Sequence, residues 1–169
     1  MRSYRLVTAR SPRHQQRGSV SIEVALIVPM LLAMIIASSE ILTIFRVEQR
    51  LVNLNYNVLE MVGNQRTLTR DNNIAQLPYF RDFAEQQLTQ LVQGHVGLSI
   101  GLHNAATQET EILLRDNRCP LTQSWPKLEV GSVAQVSLCF EPNSQVADNA
   151  IWKLWPKKRF SSSMFRETN

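Results

Sequence analysis

Histidine and cysteine are scarce in this chain of 169 residues, with three of the first and two of the second. His14 stands near the start. His95 and His103 are eight residues apart, about 27 Å on one extended strand, too far to share a metal ion. No second ligand pair accompanies the two cysteines, so a CxxC redox or zinc site has nothing to build on. H-E-x-x-H, G-x-S-x-G and P-loop strings are also missing. Gly94, Gly97 and Gly101 lack dinucleotide-binding spacing and fall in a strand, and Glu109 with Glu111 reads as the exposed face of another. No catalytic, cofactor or metal site is expected. Acid is missing from residues 1–18, which hold five arginines (Arg2, Arg5, Arg10, Arg13, Arg17). The other 151 residues hold 13 bases and 14 acids, so the formal charge of +4 belongs to the tail. Nothing beyond residue 18 has the positive excess of a nucleic-acid-binding face.

Charge is nearly absent from Val24–Phe45, where Glu40 is the sole ionisable residue. Twenty-two helical residues span about 33 Å, enough for a bilayer's hydrocarbon core, although the apolar heart, Val24–Ala37, is shorter. The arginines in front place the N-terminus on the cytoplasmic side and send the rest outward. Three fates are open at this point. The segment is an uncleaved anchor, or a signal peptide cut near Ala37-Ser38-Ser39, or a helix kept after a cut ahead of it. Glu23 bears on the choice, because an ionisable group at the edge of a span is costly and usually has a partner.

The string Gln16-Arg17-Gly18-Ser19-Val20-Ser21-Ile22-Glu23 resembles the processing site of type IV pilin-like proteins. The resemblance implies a cut by a prepilin peptidase between Gly18 and Ser19, which makes Glu23 the fifth residue of the mature chain. The new α-ammonium at Ser19 and the Glu23 carboxylate are then i and i+4 on one helix face. Most pilins begin with phenylalanine, whereas this chain has Ser19. With Ala25, Leu26 and Pro29 following, the string is more similar to the minor pseudopilins of the tight-adherence (Tad) system. TadF-type proteins share the layout of a late cysteine-containing strand, here Ser137–Phe140, and a Ser-rich basic end, Ser161–Arg166; the TadE type is the second choice. The resemblance covers about residues 16–45. It implies a non-catalytic role in assembling a Flp-type pilus from the bacterial inner membrane, with the prepilin peptidase, other pseudopilins or pilins and Tad assembly proteins as partners. The runner-up is an exported binding domain, anchored or released.

Pro29 falls inside the apolar run, where it removes one backbone hydrogen bond and kinks or loosens a helix. Ser21, Ala25, Pro29, Ala33 and Ala37 recur every four residues as a ridge of small side chains against which another helix can pack. Past Phe45, Val47, Leu51, Leu54, Val58 and Met61 form a heptad stripe with polar residues away from it. One helix is expected over about Ser19–Val62, with Gly63 as its C-cap.

Asn64–Gln76 is polar and reads as a loop, with Leu68 and Ile74 touching the core. Phe80, Phe83, Ala84, Gln87, Leu88 and Leu91 trace a second amphipathic helix ending at Gln93-Gly94. Period two then takes over. Val96–Leu102 reads as a strand with one packed face, Asn104–Gln108 as a turn, and Glu109–Arg115 and Val133–Phe140 as two more strands. Cys119 and Cys139, both exported, are expected to pair. The aromatic and basic stretch Ala150–Asn169 suits a membrane surface or a partner, and equally a segment laid over the sheet with its lysines in solvent; the second is preferred. The expected class is α+β: a long N-terminal transmembrane and amphipathic helix as stem, a second helix and a small antiparallel β-sheet head. The divisions are a basic leader at 1–18, a membrane and assembly helix at 19–45, and an exported domain at 46–169.

Overall fold

The structure, a computed structural model, describes residues 17–63, 77–122, 124–126 and 131–168. Residues 1–16 of the stretch read as a basic leader at 1–18, and the segment read as a loop at Asn64–Gln76, with Leu68 and Ile74, lie outside the described residues. The fold is α+β. Helix α1, Arg17–Gly63, runs unbroken for 47 residues with Pro29 inside it. Helix α2 spans Leu77–Thr89, and strands β1 (Gly94–Asn104), β2 (Glu109–Leu114) and β3 (Ser132–Pro142) follow. Two short helices, α3 (Ser144–Ala147) and α4 (Ala150–Leu154), lead to β4, Phe160–Thr168. The four strands form one antiparallel sheet in the order β2-β1-β3-β4.

The chain forms two compact units, one ending at Ser39 and one beginning at Glu40. In the second unit, cross-strand pairs Val96–Phe140, Leu98–Leu138 and Ile100–Val136 put bulky side chains on one sheet face. Ile44, Val47, Leu51, Leu54, Val58, Leu59 and Val62 of α1 join them in a single core, with Leu77, Ala84 and Leu88 of α2. Spacings of three and four keep these residues on one side of each helix, which is why a helix can lie on a sheet here. Asn55 is buried within the α1 stripe, and its Nδ2 donates to the Ser162 carbonyl and hydroxyl, each at 3.0 Å. That bond ties α1 to β4.

Several boundaries differ from those read in the sequence. Met61 is exposed, and Leu59 and Val62 take the place assigned to it. Gly63 is helical and is the last described residue of α1. On α2 the buried line is Leu77, Ala84 and Leu88, while Phe83 and Leu91 are exposed and the helix stops at Thr89. The C-terminal segment is not laid over the sheet. Its last residues are the edge strand β4, paired with β3 from Phe140–Phe160 to Ser132–Thr168.

The opposite sheet face is also covered. Gly97, Ser99 and Gly101 of β1 and Gln135 and Ser137 of β3 are buried beneath the segment after β2. A Cβ at Gly97 would stand 3.0 Å from Cβ of Cys119, and one at Gly101 would stand 2.9 Å from Cδ1 of Leu121. Small residues on this face are what let a second backbone come so close. The hydroxyl of Ser99 accepts from the Asp116 N–H at 2.9 Å. With its amide oxygen turned to Thr122 N (2.9 Å) and its nitrogen to Thr122 O (3.2 Å), Gln135 completes the same layer.

Cys119 and Cys139 form a disulfide within this layer, with Cα atoms 5.6 Å apart and a separation of 20 positions in sequence. Such a loop gives about 3 kcal/mol in the chain-entropy account. Cys139→Ser is therefore expected to destabilise the second unit by about 2–5 kcal/mol, seen as a fall in folded protein. Non-reducing mass analysis should find the wild-type chain two hydrogens lighter than its reduced form. Full alkylation of both thiols without reductant would contradict the bridge.

Candidate membrane and assembly helix

From Ser21 to Ile36 every residue of α1 is exposed. Leu26 is 72% exposed, Met30 69% and Ile22 66%. The mean hydropathy of this stretch reaches 2.2, and the helix is long and apolar enough to cross a membrane. A soluble core helix would bury one stripe of such residues, as α1 itself does from Ile44 onward. Ser21–Ser39 rises about 28 Å, close to the thickness of a hydrocarbon core. Two hydroxyls at its C-terminal end are satisfied locally: Ser38 Oγ donates to Met34 O at 2.7 Å and Ser39 Oγ to Ile36 O at 2.8 Å. Back-bonding of this kind suits surroundings without water.

Gly18 and Ser19 fall in the first described turn of α1. Glu23 is exposed and is the sole ionisable residue between Ser19 and Ser39. Ser21, Ala25, Pro29 and Ala33 are exposed, and Ala37 is half-buried. A row at i+4 advances about 40° per step, so the five trace an inclined ridge rather than a stripe parallel to the axis. A second helix seated on it would cross at an angle, in the close-packed manner of small-residue interfaces.

Glu40 is the first residue of the second unit, and its Oε2 accepts from Trp152 Nε1 at 3.2 Å. Phe45 meets Trp155 edge to face at 5.8 Å, and Trp152 meets Phe160 in the same way at 6.0 Å. Lys157 pairs with Glu48 at 3.2 Å. These contacts fix α4 against the beginning of α1's head portion. The hydropathy run carried on to Phe45, but Ile44 and Val47 already belong to the core. Sequence reasoning missed this cluster, although the paired tryptophans and Glu40, the lone acid in the apolar run, were its signal.

On the other side of the sheet, Trp125 stacks on His103 at 5.1 Å, and His103 Nδ1 lies 3.0 Å from Thr110 Oγ1. Glu109 and Glu111 are both exposed on β2. Among the described residues no group of three or more His, Cys, Asp or Glu is placed to hold a metal ion. No protein-family model matches the chain, and no curated protein or solved structure is detectably similar to it.

Proposed function

We propose that this protein is a membrane-embedded, non-catalytic subunit of the type IV pilin kind, a minor pseudopilin of TadF type acting in the assembly of a Flp-type pilus. One observation supports it above the others: a single helix is apolar and exposed all round from Ser21 to Ile36, then continues without a break into the stripe that seats a disulfide-bonded sheet. A bilayer or a bundle of like helices would cover the first part, and the sheet covers the second. The Gly18-Ser19 bond with Glu23 one turn beyond it supplies the processing site, and the small-residue ridge supplies the helix contact. In this reading the N-terminus faces the cytoplasm, the sheet is outside the inner membrane, and the prepilin peptidase, other pseudopilins and the Tad assembly proteins are the partners.

A second reading is favoured by the unit boundary. The second unit starts at Glu40, directly after Ala37-Ser38-Ser39, so a signal-peptidase cut there would release it whole. N-terminal sequencing of the protein from membranes decides between them. The pseudopilin reading expects a chain beginning at Ser19. A chain beginning at Glu40 removes that reading and supports a secreted domain, and a chain beginning at Met1 supports a plain anchor.

A further inference from the structure

We propose that α4 and the aromatic pair at its end form an interfacial foot that rests in the headgroup layer of an anionic bilayer. The inference rests on the membrane span proposed above. Leu154, at the C-terminus of α4, is 83% exposed, the most exposed large apolar side chain among the described residues of the second unit. Phe45, beside Trp155, is 47% exposed, and Leu42, one turn earlier, is exposed as well. A soluble surface gains nothing from gathering these residues, and apolar patches rimmed by charge mark interaction sites. Trp152–Arg159 holds Lys153, Lys157, Lys158 and Arg159 and no acid. Lys153 pairs with Asp148 (3.3 Å), Lys157 with Glu48 (3.2 Å) and Arg159 with Glu141 (3.4 Å), all at exposed positions where a lipid phosphate can compete, and Lys158 has no acidic partner among the described residues.

Location selects lipid over a protein partner. The Trp152–Glu40 hydrogen bond fastens α4 to the residue that follows the apolar segment in the chain. Whatever apolar medium holds Ser21–Ser39 gives way to water near Glu40. Along α1 the rise from Glu40 to Phe45 is about 7.5 Å, comparable to the depth of one headgroup layer. Tryptophan and lysine beside exposed aliphatic groups have the chemistry of that layer, where rings sit among the headgroups and cations meet lipid phosphates.

The test uses the full chain in vesicles of phosphatidylcholine and phosphatidylglycerol whose acyl chains are brominated near the carbonyls. Flotation at alkaline pH reports the span separately. The expected result is flotation together with quenched tryptophan emission; the quenched fraction should fall at least two-fold in Trp155→Phe and stay unchanged in Trp125→Phe. Leu154→Asp, at a site too exposed to affect folding, should lower the quenched fraction to a similar degree. Flotation without quenching overturns the foot and leaves the span standing, whereas failure to float overturns both. Quenching that vanishes as protein is diluted in lipid, with a matching emission shift, assigns the patch to a second copy and overturns the lipid assignment. Equal quenching in vesicles without phosphatidylglycerol overturns the anionic preference.

Discussion

On the pseudopilin reading proposed above, Glu23→Ala is expected to leave membrane insertion and the cut after Gly18 intact and to abolish association with the other assembly components. The expectation follows from where the carboxylate stands. It is the sole ionisable group between Ser19 and Ser39, on a helix whose neighbouring side chains are exposed and apolar. In a plain anchor, water and headgroups at the cytoplasmic edge solvate it, and Ala or Gln would serve as well. In a packed set of pilin-like helices the new α-ammonium of Ser19, its own or a neighbour's, enters apolar surroundings, and a carboxylate one turn away is what answers it. Removing one partner of such a pair leaves the other uncompensated, at about 3–5 kcal/mol, or roughly two to three and a half orders of magnitude in an association constant. Glu23→Asp keeps the charge with a shorter reach and should fall between. A processing blot paired with co-purification measures both halves; wild-type association in the Ala variant would sink the assembly role and return the protein to the anchored-module class.

The helices were legible in the sequence where periodicity was uninterrupted. Val47, Leu51, Leu54 and Val58 repeat at four, three and four, and all are buried. The reading slipped at the end of α1, because a heptad continued from Val58 points to Met61. A straight helix of 3.6 residues per turn drifts from a strict seven-residue repeat, and the sheet is met instead by Leu59 and Val62. On α2 the line read from Phe80 keeps Ala84 and Leu88 in the core, but it begins at Leu77 and leaves Phe83 and Leu91 exposed. Strands β1 and β3 were visible from alternation. Strand β4 was not, since Phe160, Ser162, Met164 and Arg166 share one face and an edge strand needs little hydrophobic contrast to be held by its backbone bonds. The covering of the second sheet face was written in Gly97, Ser99 and Gly101, whose small size reads as weak strand propensity until the disulfide segment is seen above them.

For the site, the sequence located the apolar run but not its end. Hydropathy counts Ile41, Leu42, Ile44 and Phe45 alike, whereas packing divides them: Ile44 is buried in the core, and Leu42 and Phe45 face outward. The division depends on α4, more than 100 residues away in sequence, where Trp152 reaches Glu40. No local pattern carries a contact of that range.

Phe140→Ala is expected to cost the second unit about 3–5 kcal/mol. Phe140 is fully buried on β3, between its register partners Val96 of β1 and Phe160 of β4. Its ring also occupies the space beside Gly94, where an added Cβ would lie 2.6 Å from Cζ of Phe140 and 2.5 Å from the Glu141 carbonyl oxygen. The ring is therefore packed against backbone on one side and side chains on the others. Strands paired on both flanks cannot collapse into the space it leaves, so the cavity adds to the lost transfer energy. Phe140→Leu fills most of that space and should cost about 1–2 kcal/mol. For a unit of this size, 3–5 kcal/mol lowers Tm by about 10 °C or more. The measurement is thermal unfolding of the full chain in detergent, followed by tryptophan fluorescence, with Leu154→Ala as the exposed counterpart expected to change little. A Phe140→Ala protein melting within a degree or two of wild type would mean that this side chain is not where the core closes.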